Sequence, residues 1–309
     1  MLQNSRKPKP GWRQLNFKYM MCVPTAKCAA ILFIILFAIS LIFGSVLLST
    51  SYSIVEYSKR YDDICHNNED CTIEISISDS MTSPVFLYYE LHNYYQNHRK
   101  YVKSSCQLQL AGEKVSEDDC SMCEPLTKVK DYDYPLYNLN GQQLNKTQLA
   151  NPCGLIAASL FNDTFAIKKD SEIIDIDSGD IAWFTDNTNK YKNRKDYKEV
   201  QFLDVEKQHF KVWMRTAATS TFRKLYGKIN KDLKHTYNVT IHNLVDVSEF
   251  DGEKWIILST VSTFGGKNLV LGWSFISVAV VSLIWAIVFI WLGKNLKPVS
   301  IEDRFKKLE

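Results

Sequence analysis

Ala29–Leu48 reads AAILFIILFAISLIFGSVLL and Leu269–Leu292 reads LVLGWSFISVAVVSLIWAIVFIWL, two uncharged apolar runs in a chain of 309 residues. A bilayer core takes about 20 such residues as a helix, so each run is read as a transmembrane span, the longer one with some tilt. Trp273 and Trp291 stand near the ends of the second run, where indoles favour the membrane interface. The first run and its basic leader are both too long for a cleaved signal peptide. Charge then sets the orientation. Residues 1–50 carry six basic residues and no acidic one, the segment from Gly293 is also net basic, and the segment between is net acidic. Lys and Arg stay on the cytosolic side, so both termini are expected there. The chain divides into a cytosolic basic tail (1–28), a first transmembrane helix (29–50), an exoplasmic or luminal ectodomain (51–268), a second transmembrane helix (269–292) and a cytosolic tail (293–309).

Cysteines and sequons agree with that topology. Cys65, Cys71, Cys106, Cys120, Cys123 and Cys153 all fall between the spans, and an even set in an oxidising compartment reads as a disulfide framework. Proximity favours Cys65–Cys71 and leaves the other four open. The acceptor asparagines Asn145, Asn162 and Asn238 each open an Asn-x-Thr triplet in the same segment, so glycosylation is expected at all three. Cys22 and Cys28 lie on the cytosolic side, where juxtamembrane thiols are candidates for palmitoylation.

Within 51–268 no repeat or flexible linker interrupts the sequence, which reads as one domain. Thr72–Ser78 alternates, with Ile73, Ile75 and Ile77 on one face. Tyr237–His242 alternates as well and points Asn238 away from Tyr237, Val239 and Ile241. Trp255–Val261 is a further β-branched run, and Val85–Leu91 has the look of a strand buried on both faces. One stretch reads as a helix: Phe222, Leu225, Tyr226, Ile229 and Leu233 fall at helical spacing, with Thr219 or Ser220 as its cap. The expected fold is a membrane protein whose two transmembrane helices flank a mainly antiparallel-β ectodomain, β-sandwich-like and of α+β type, with inserted helices.

No catalytic constellation is found. Nucleophile-elbow, zinc-helix and phosphate-loop motifs are missing, and Gly265-Gly266-Lys267 lacks the spacing and hydroxyl of a phosphate loop. Cys120-Ser-Met-Cys123 has no second pair to complete a zinc ribbon and reads as disulfide material. His92 and His98 have no evident acidic or cysteine partner, and Asp118, Asp119, Asp175 and Asp177 read as solvated surface. Neither catalytic residues, nor a cofactor, nor a metal site is expected, and the modest net charge of +3 argues against nucleic acid. The spans contain no ionisable residue to serve ion conduction or a proton relay. Ser40-x-x-x-Gly44 offers a small-residue face on which another helix can approach.

Longer stretches carry a resemblance. FLYYELHNYYQNHRKYVKS (86–104), Cys123-Glu-Pro125, PCGLIAASLFNDTF (152–165), IAWFTD (181–186), VWMRTAA (212–218), TFRKLY (221–226), Asn238-Val-Thr240, LSTVS (258–262) and GGKN (265–268) occur in order. The chain resembles the CDC50/Lem3 family, the accessory β subunits of P4-type ATPase lipid flippases. The resemblance implies a non-catalytic, regulatory and chaperone subunit. It would form a one-to-one heterodimer with a P4-type ATPase catalytic subunit amid membrane lipids. Its ectodomain would cover the outer loops of the ATPase, and the spans would pack beside that protein's outermost helix. The pair would leave the endoplasmic reticulum together, for Golgi, endosomal or plasma membranes. The ATPase would move an aminophospholipid or related lipid to the cytosolic leaflet. The resemblance further implies Cys123–Cys153, and with it Cys106–Cys120, although the family usually lacks a cysteine at the position of Cys106. Thr219-Ser220 stands where the family usually has Leu-Pro, and Phe184 where it usually has Trp. Tyr88, Tyr89, Tyr94 and Tyr95 are candidates for either core or interface. The rival reading is a two-span ligand-gated channel subunit, which shares the topology but would need a polar pore stripe, for which the second span offers Ser274, Ser277 and Ser282.

Overall fold

A computed structural model describes residues 25–65, 69–262 and 265–295. Most of the basic N-terminal tail, Cys22 included, and the C-terminal tail beyond Asn295 lie outside the described residues. The chain forms two units, one of the two long helices and one spanning Tyr52–Lys267.

The helical unit pairs α1 (Ala26–Tyr52) with α7 (Leu269–Asn295). Thr25 Oγ1 accepts the Cys28 N–H at the start of α1, and Asn268 Oδ1 accepts the Leu271 N–H at the start of α7, so each helix begins on a capping side chain. The buried residues of the pair are all small: Ala30, Ser40, Gly44 and Ser51 on α1, and Gly272, Ala279, Ser282 and Ala286 on α7. A Cβ on Gly44 would stand 2.8 Å from Ile276, and one on Gly272 would stand 2.7 Å from Leu48. The Ser40–Gly44 face is therefore occupied by the chain's own second helix. Phe33 stacks on Phe289 at 5.6 Å along the same seam. The large apolar side chains point outward, which suits hydrocarbon surroundings, where a helix satisfies its backbone internally.

The second unit holds eight strands: β1 (Glu56–Arg60), β2 (Asp70–Met81), β3 (Val85–His92), β4 (Thr164–Lys169), β5 (Glu172–Ile174), β6 (Phe222–Ile229), β7 (Leu233–His242) and β8 (Glu253–Ser259). They form two four-stranded sheets, β1-β8-β3-β6 and β2-β7-β4-β5, antiparallel throughout. Ile73, Ile75 and Ile77 of β2 and Tyr237, Val239 and Ile241 of β7 share one core with Leu87, Tyr89 and Leu91 of β3 and Ile256 and Leu258 of β8. Short helices α2 (Arg99–Lys103), α3 (Gln107–Leu110), α4 (Leu155–Ala158), α5 (Tyr197–Val200) and α6 (Gln208–Met214) sit in the connections. The expected architecture of two helices flanking an antiparallel sheet domain with inserted helices is the one observed.

The helix expected over 219–233 is instead a strand pair, β6 and the start of β7. The reason lies in the register. Tyr88 pairs with Leu225 but Leu87 pairs with Gly227, so Tyr226 is an extra residue in β6. Such a bulge shifts the phase of a strand: Phe222 and Lys224 point inward before it, Gly227 and Ile229 after it. Apolar positions displaced in this way mimic helical spacing, and an inward lysine conceals the true alternation. Val85–Leu91 is a strand as expected, but only one face is fully buried; Phe86, Tyr88 and Glu90 are half-buried on the other.

The long connection between β3 and β4 builds a lobe with a small core of its own, in which Val129, Tyr132, Leu136, Leu144 and Ala150 pack with four cysteines. The disulfides Cys106–Cys120 and Cys123–Cys153 lie inside it, and Cys65–Cys71 ties the end of the β1 segment to β2. Gly154, at φ +101°, passes so close to the Ser104 carbonyl that no side chain fits there.

Candidate functional site

Two of the three lysines buried among the described residues of the sheet unit, Lys254 and Lys224, organise it from within. Lys254 on β8 and Asp163 just before β4 form an ion pair at 2.9 Å, both side chains fully inaccessible. The remaining Lys254 bonds go to Asn243 Oδ1 and the Val245 carbonyl. Asp163 also accepts the Tyr61 hydroxyl at 2.8 Å and the Leu244 and Val245 N–H groups at 2.7 Å. Every charge is met by hydrogen bonds, the condition under which a buried pair is tolerated. Burial lowers the Lys254 pKa while the Asp163 carboxylate draws it back up, and burial followed by Asp163 pushes the Tyr61 phenol well above its ordinary value. This node joins Tyr61 and β8, from one sheet, to the approach to β4 and the exit from β7, from the other.

Lys224 is the second cation. Its Nζ donates to the carbonyls of Val212 at 3.1 Å, Trp213 at 2.9 Å and Arg215, which close the C-terminal end of α6, and lies over the rings of Trp213 and Phe222. A cation there complements the helix dipole. Burial nevertheless pulls its pKa down to about 7.

The outward faces of the two sheets differ in chemistry. On the β2-β7 face Thr72 and Ser76 stand opposite Thr240 and Thr236, with exposed Asn238 beside them. On the β8-β3 face aromatic and charged groups interlock. Arg223 reaches Glu56 at 2.8 Å and Glu90 at 3.4 Å, Arg60 reaches Glu253 at 2.7 Å, and His92 lies between Glu90 at 2.7 Å and Glu253 at 3.2 Å while stacking on Trp255. His92 thus has the acidic partners that were not evident in the sequence. His98 is exposed on the rim of an open cleft of about 940 Å³ that also includes Lys100, Lys103, Met122 and Lys128. Among the described residues no group of three or more His, Cys, Asp or Glu could hold a metal ion.

The tyrosine candidates separate. Tyr89 is core, stacked on Phe161 at 3.9 Å. Tyr94 closes an aromatic box with Tyr101, Trp213, Phe222 and Phe250. Tyr88 lies half-buried on the outward sheet face, and Tyr95 is exposed. Asn145, Asn162 and Asn238 are all exposed, as are Asp118, Asp119, Asp175 and Asp177. Cys28 is a free, exposed thiol.

Among the described residues of the sheet unit, the most solvent-exposed aromatics are two neighbours that no periodicity or catalytic motif marks. Trp183 is 67% and Phe184 79% exposed, yet the turn carrying them is pinned on both sides. Ile181 and Ala182 are buried before it. Asp186, buried after it, takes the Arg215 guanidinium at 2.5 Å, and that guanidinium lies over the Trp183 ring at 4.6 Å. One π-helical turn, Asp186–Lys190, follows, a geometry frequent at functional sites. Sequence alone signals two adjacent aromatics but not the distant arginine that fixes them.

Residues 11–297 match the family described as LEM3 (ligand-effect modulator 3) family / CDC50 family. The chain is 33% identical over 318 residues to ALA-interacting subunit 3 of Arabidopsis thaliana, covering 93% of this chain and 86% of that protein. It is 31% identical to putative ALA-interacting subunit 2 of the same plant, covering 98% and 93%. Cell cycle control protein 50A of Bos taurus is 34% identical over 272 residues, covering 74% of this chain and 70% of that protein.

Proposed function

The chain belongs to the LEM3/CDC50 family, and on that premise we propose that it is the non-catalytic accessory subunit and escort of a P4-type ATPase lipid flippase. The observation that carries this reading is the family match over residues 11–297, spanning both long apolar helices and the sheet unit between them. The name of the Arabidopsis relatives speaks of interaction with an ALA protein; the corresponding partner here is the ATP-hydrolysing catalytic subunit, bound one to one. The pair leaves the endoplasmic reticulum together and moves an aminophospholipid or related lipid to the cytosolic leaflet. The sheet unit faces the exoplasmic or luminal side, carries glycans on Asn145, Asn162 and Asn238 and keeps its six cysteines oxidised, with both tails cytosolic. Side chains support a structural role for the helices. Ser274, Ser277 and Ser282 each donate to a carbonyl of their own helix, at 2.7, 2.9 and 2.7 Å, so these hydroxyl hydrogens are engaged within the helix.

Affinity purification of the full chain in mild detergent tests the reading. Recovery of a multi-span P-type ATPase in equal amount is expected. A homotrimer with ligand-evoked currents and no ATPase would overturn it in favour of a channel subunit.

A further inference from the structure

We propose that Trp183 and Phe184 are the aromatic anchor by which the sheet unit grips the exoplasmic loops of its catalytic partner, inserting into an apolar pocket with a basic rim; this rests on the reading above that such a partner exists. Exposure is the first ground. Trp183 and Phe184 stand side by side at 67% and 79% exposure, and Phe184 has no ring partner among the described residues. Adjacent solvated large aromatics are costly in water and are the residue types that dominate binding energy at interfaces.

Rigidity is the second. The turn is held by Arg215 on the Trp183 face and on Asp186, by the Gln208 side chain accepting the Ala182 N–H at 3.1 Å, and by the Trp183 carbonyl accepting the Asp186 N–H at 2.9 Å. Arg215 in turn follows the segment whose carbonyls Lys224 gathers. Rings presented on a fixed turn lose little conformational freedom on docking.

Charge is the third and selects the occupant. The segment leading into the rings exposes Asp175, Asp177 and Asp180. A protein pocket edged by Lys or Arg complements these carboxylates with fixed charges.

Full chain carrying the photocrosslinking residue p-benzoylphenylalanine in place of Phe184 is to be irradiated in native membranes together with the catalytic subunit. An adduct with the mass of chain plus ATPase is expected. In parallel, Trp183→Ala/Phe184→Ala should lower co-recovery of the ATPase at least tenfold, with disulfides and glycosylation intact, while Trp183→Phe retains most of it. Adducts confined to lipid or to a second copy of the chain, or no adduct in a complex that still forms, overturn the anchor alone. If the unsubstituted chain recovers no P-type ATPase, the reading beneath it falls instead.

Discussion

The sandwich and the disulfide lobe meet the problem of burial in opposite ways. In the sandwich, two sheets press rows of Ile, Val, Leu and aromatic side chains into one continuous core and place a hydrogen-bonded ion pair within it. In the lobe, five apolar residues and four cysteines form a core of nine, backed by short helices and turns rather than by a sheet. A small core gives little hydrophobic stabilisation, and disulfides commonly make up the shortfall. The sandwich therefore depends on its interior, and the lobe on its covalent links.

The largest expected effect lies in the sandwich. Asp163→Leu leaves Lys254 charged and unpaired in the interior, which costs about 3–5 kcal/mol. Thermal unfolding of the detergent-solubilised chain should show one early, cooperative loss of the sheet unit; an unchanged midpoint would deny the pair any role in the sandwich. Cys123→Ser comes next, at about 2–5 kcal/mol for the loss of a bridge. Limited proteolysis should then nick the chain between α2 and α4 while the sheets stay protected, and simultaneous loss of both would erase the distinction between the regions. Gly154→Ala sets a Cβ against the Ser104 carbonyl at a left-handed φ, worth about 1–3 kcal/mol and again read as lobe-specific cleavage.

Acidity separates the regions more finely. Burial holds Lys224 at about 7 against an ordinary 10.5, so between those values the unfolded chain binds a proton that the folded chain releases. Stability must then rise with pH across that window, by up to about 1.4 kcal/mol per unit. The full penalty of burying the charge remains below about 7. Lys224→Met should remove this lysine's share of the slope in the sandwich and leave the lobe unaffected, as followed by unfolding midpoints at pH 7, 8 and 9. The smallest effect belongs to Asn238→Gln on the polar sheet face, expected within about 0.5 kcal/mol but with the electrophoretic shift of one lost glycan.

Much of the sandwich was legible because one-sided burial writes period two into the chain, as at Ile73, Ile75 and Ile77 or Tyr237, Val239 and Ile241. The spans were legible for a related reason, since hydrocarbon admits no charge over their length. β6 was not legible, because a bulge at Tyr226 and an inward Lys224 broke the alternation at the same place. Neither the pairing of Asp163 with Lys254 nor the clamp of Arg215 on Trp183 could be read locally, since each joins residues far apart in the chain. The lobe lacks long periodic elements, so its cysteines were its main sequence signal.

The position of β8 also orders events during synthesis. This strand, Glu253–Ser259, is the last of the sheet unit, yet it lies between β1 and β3 and pairs with both. The bond from the Val55 N–H to Thr260 just beyond it spans 205 residues. Until the ribosome has passed Ser259, β1 and β3 have no strand between them and the Asp163 carboxylate lacks its lysine. Closing contacts of such long sequence separation is slow, and it leaves strand edges open in the meantime. The nascent chain must therefore keep those edges covered for almost the whole of its own translation.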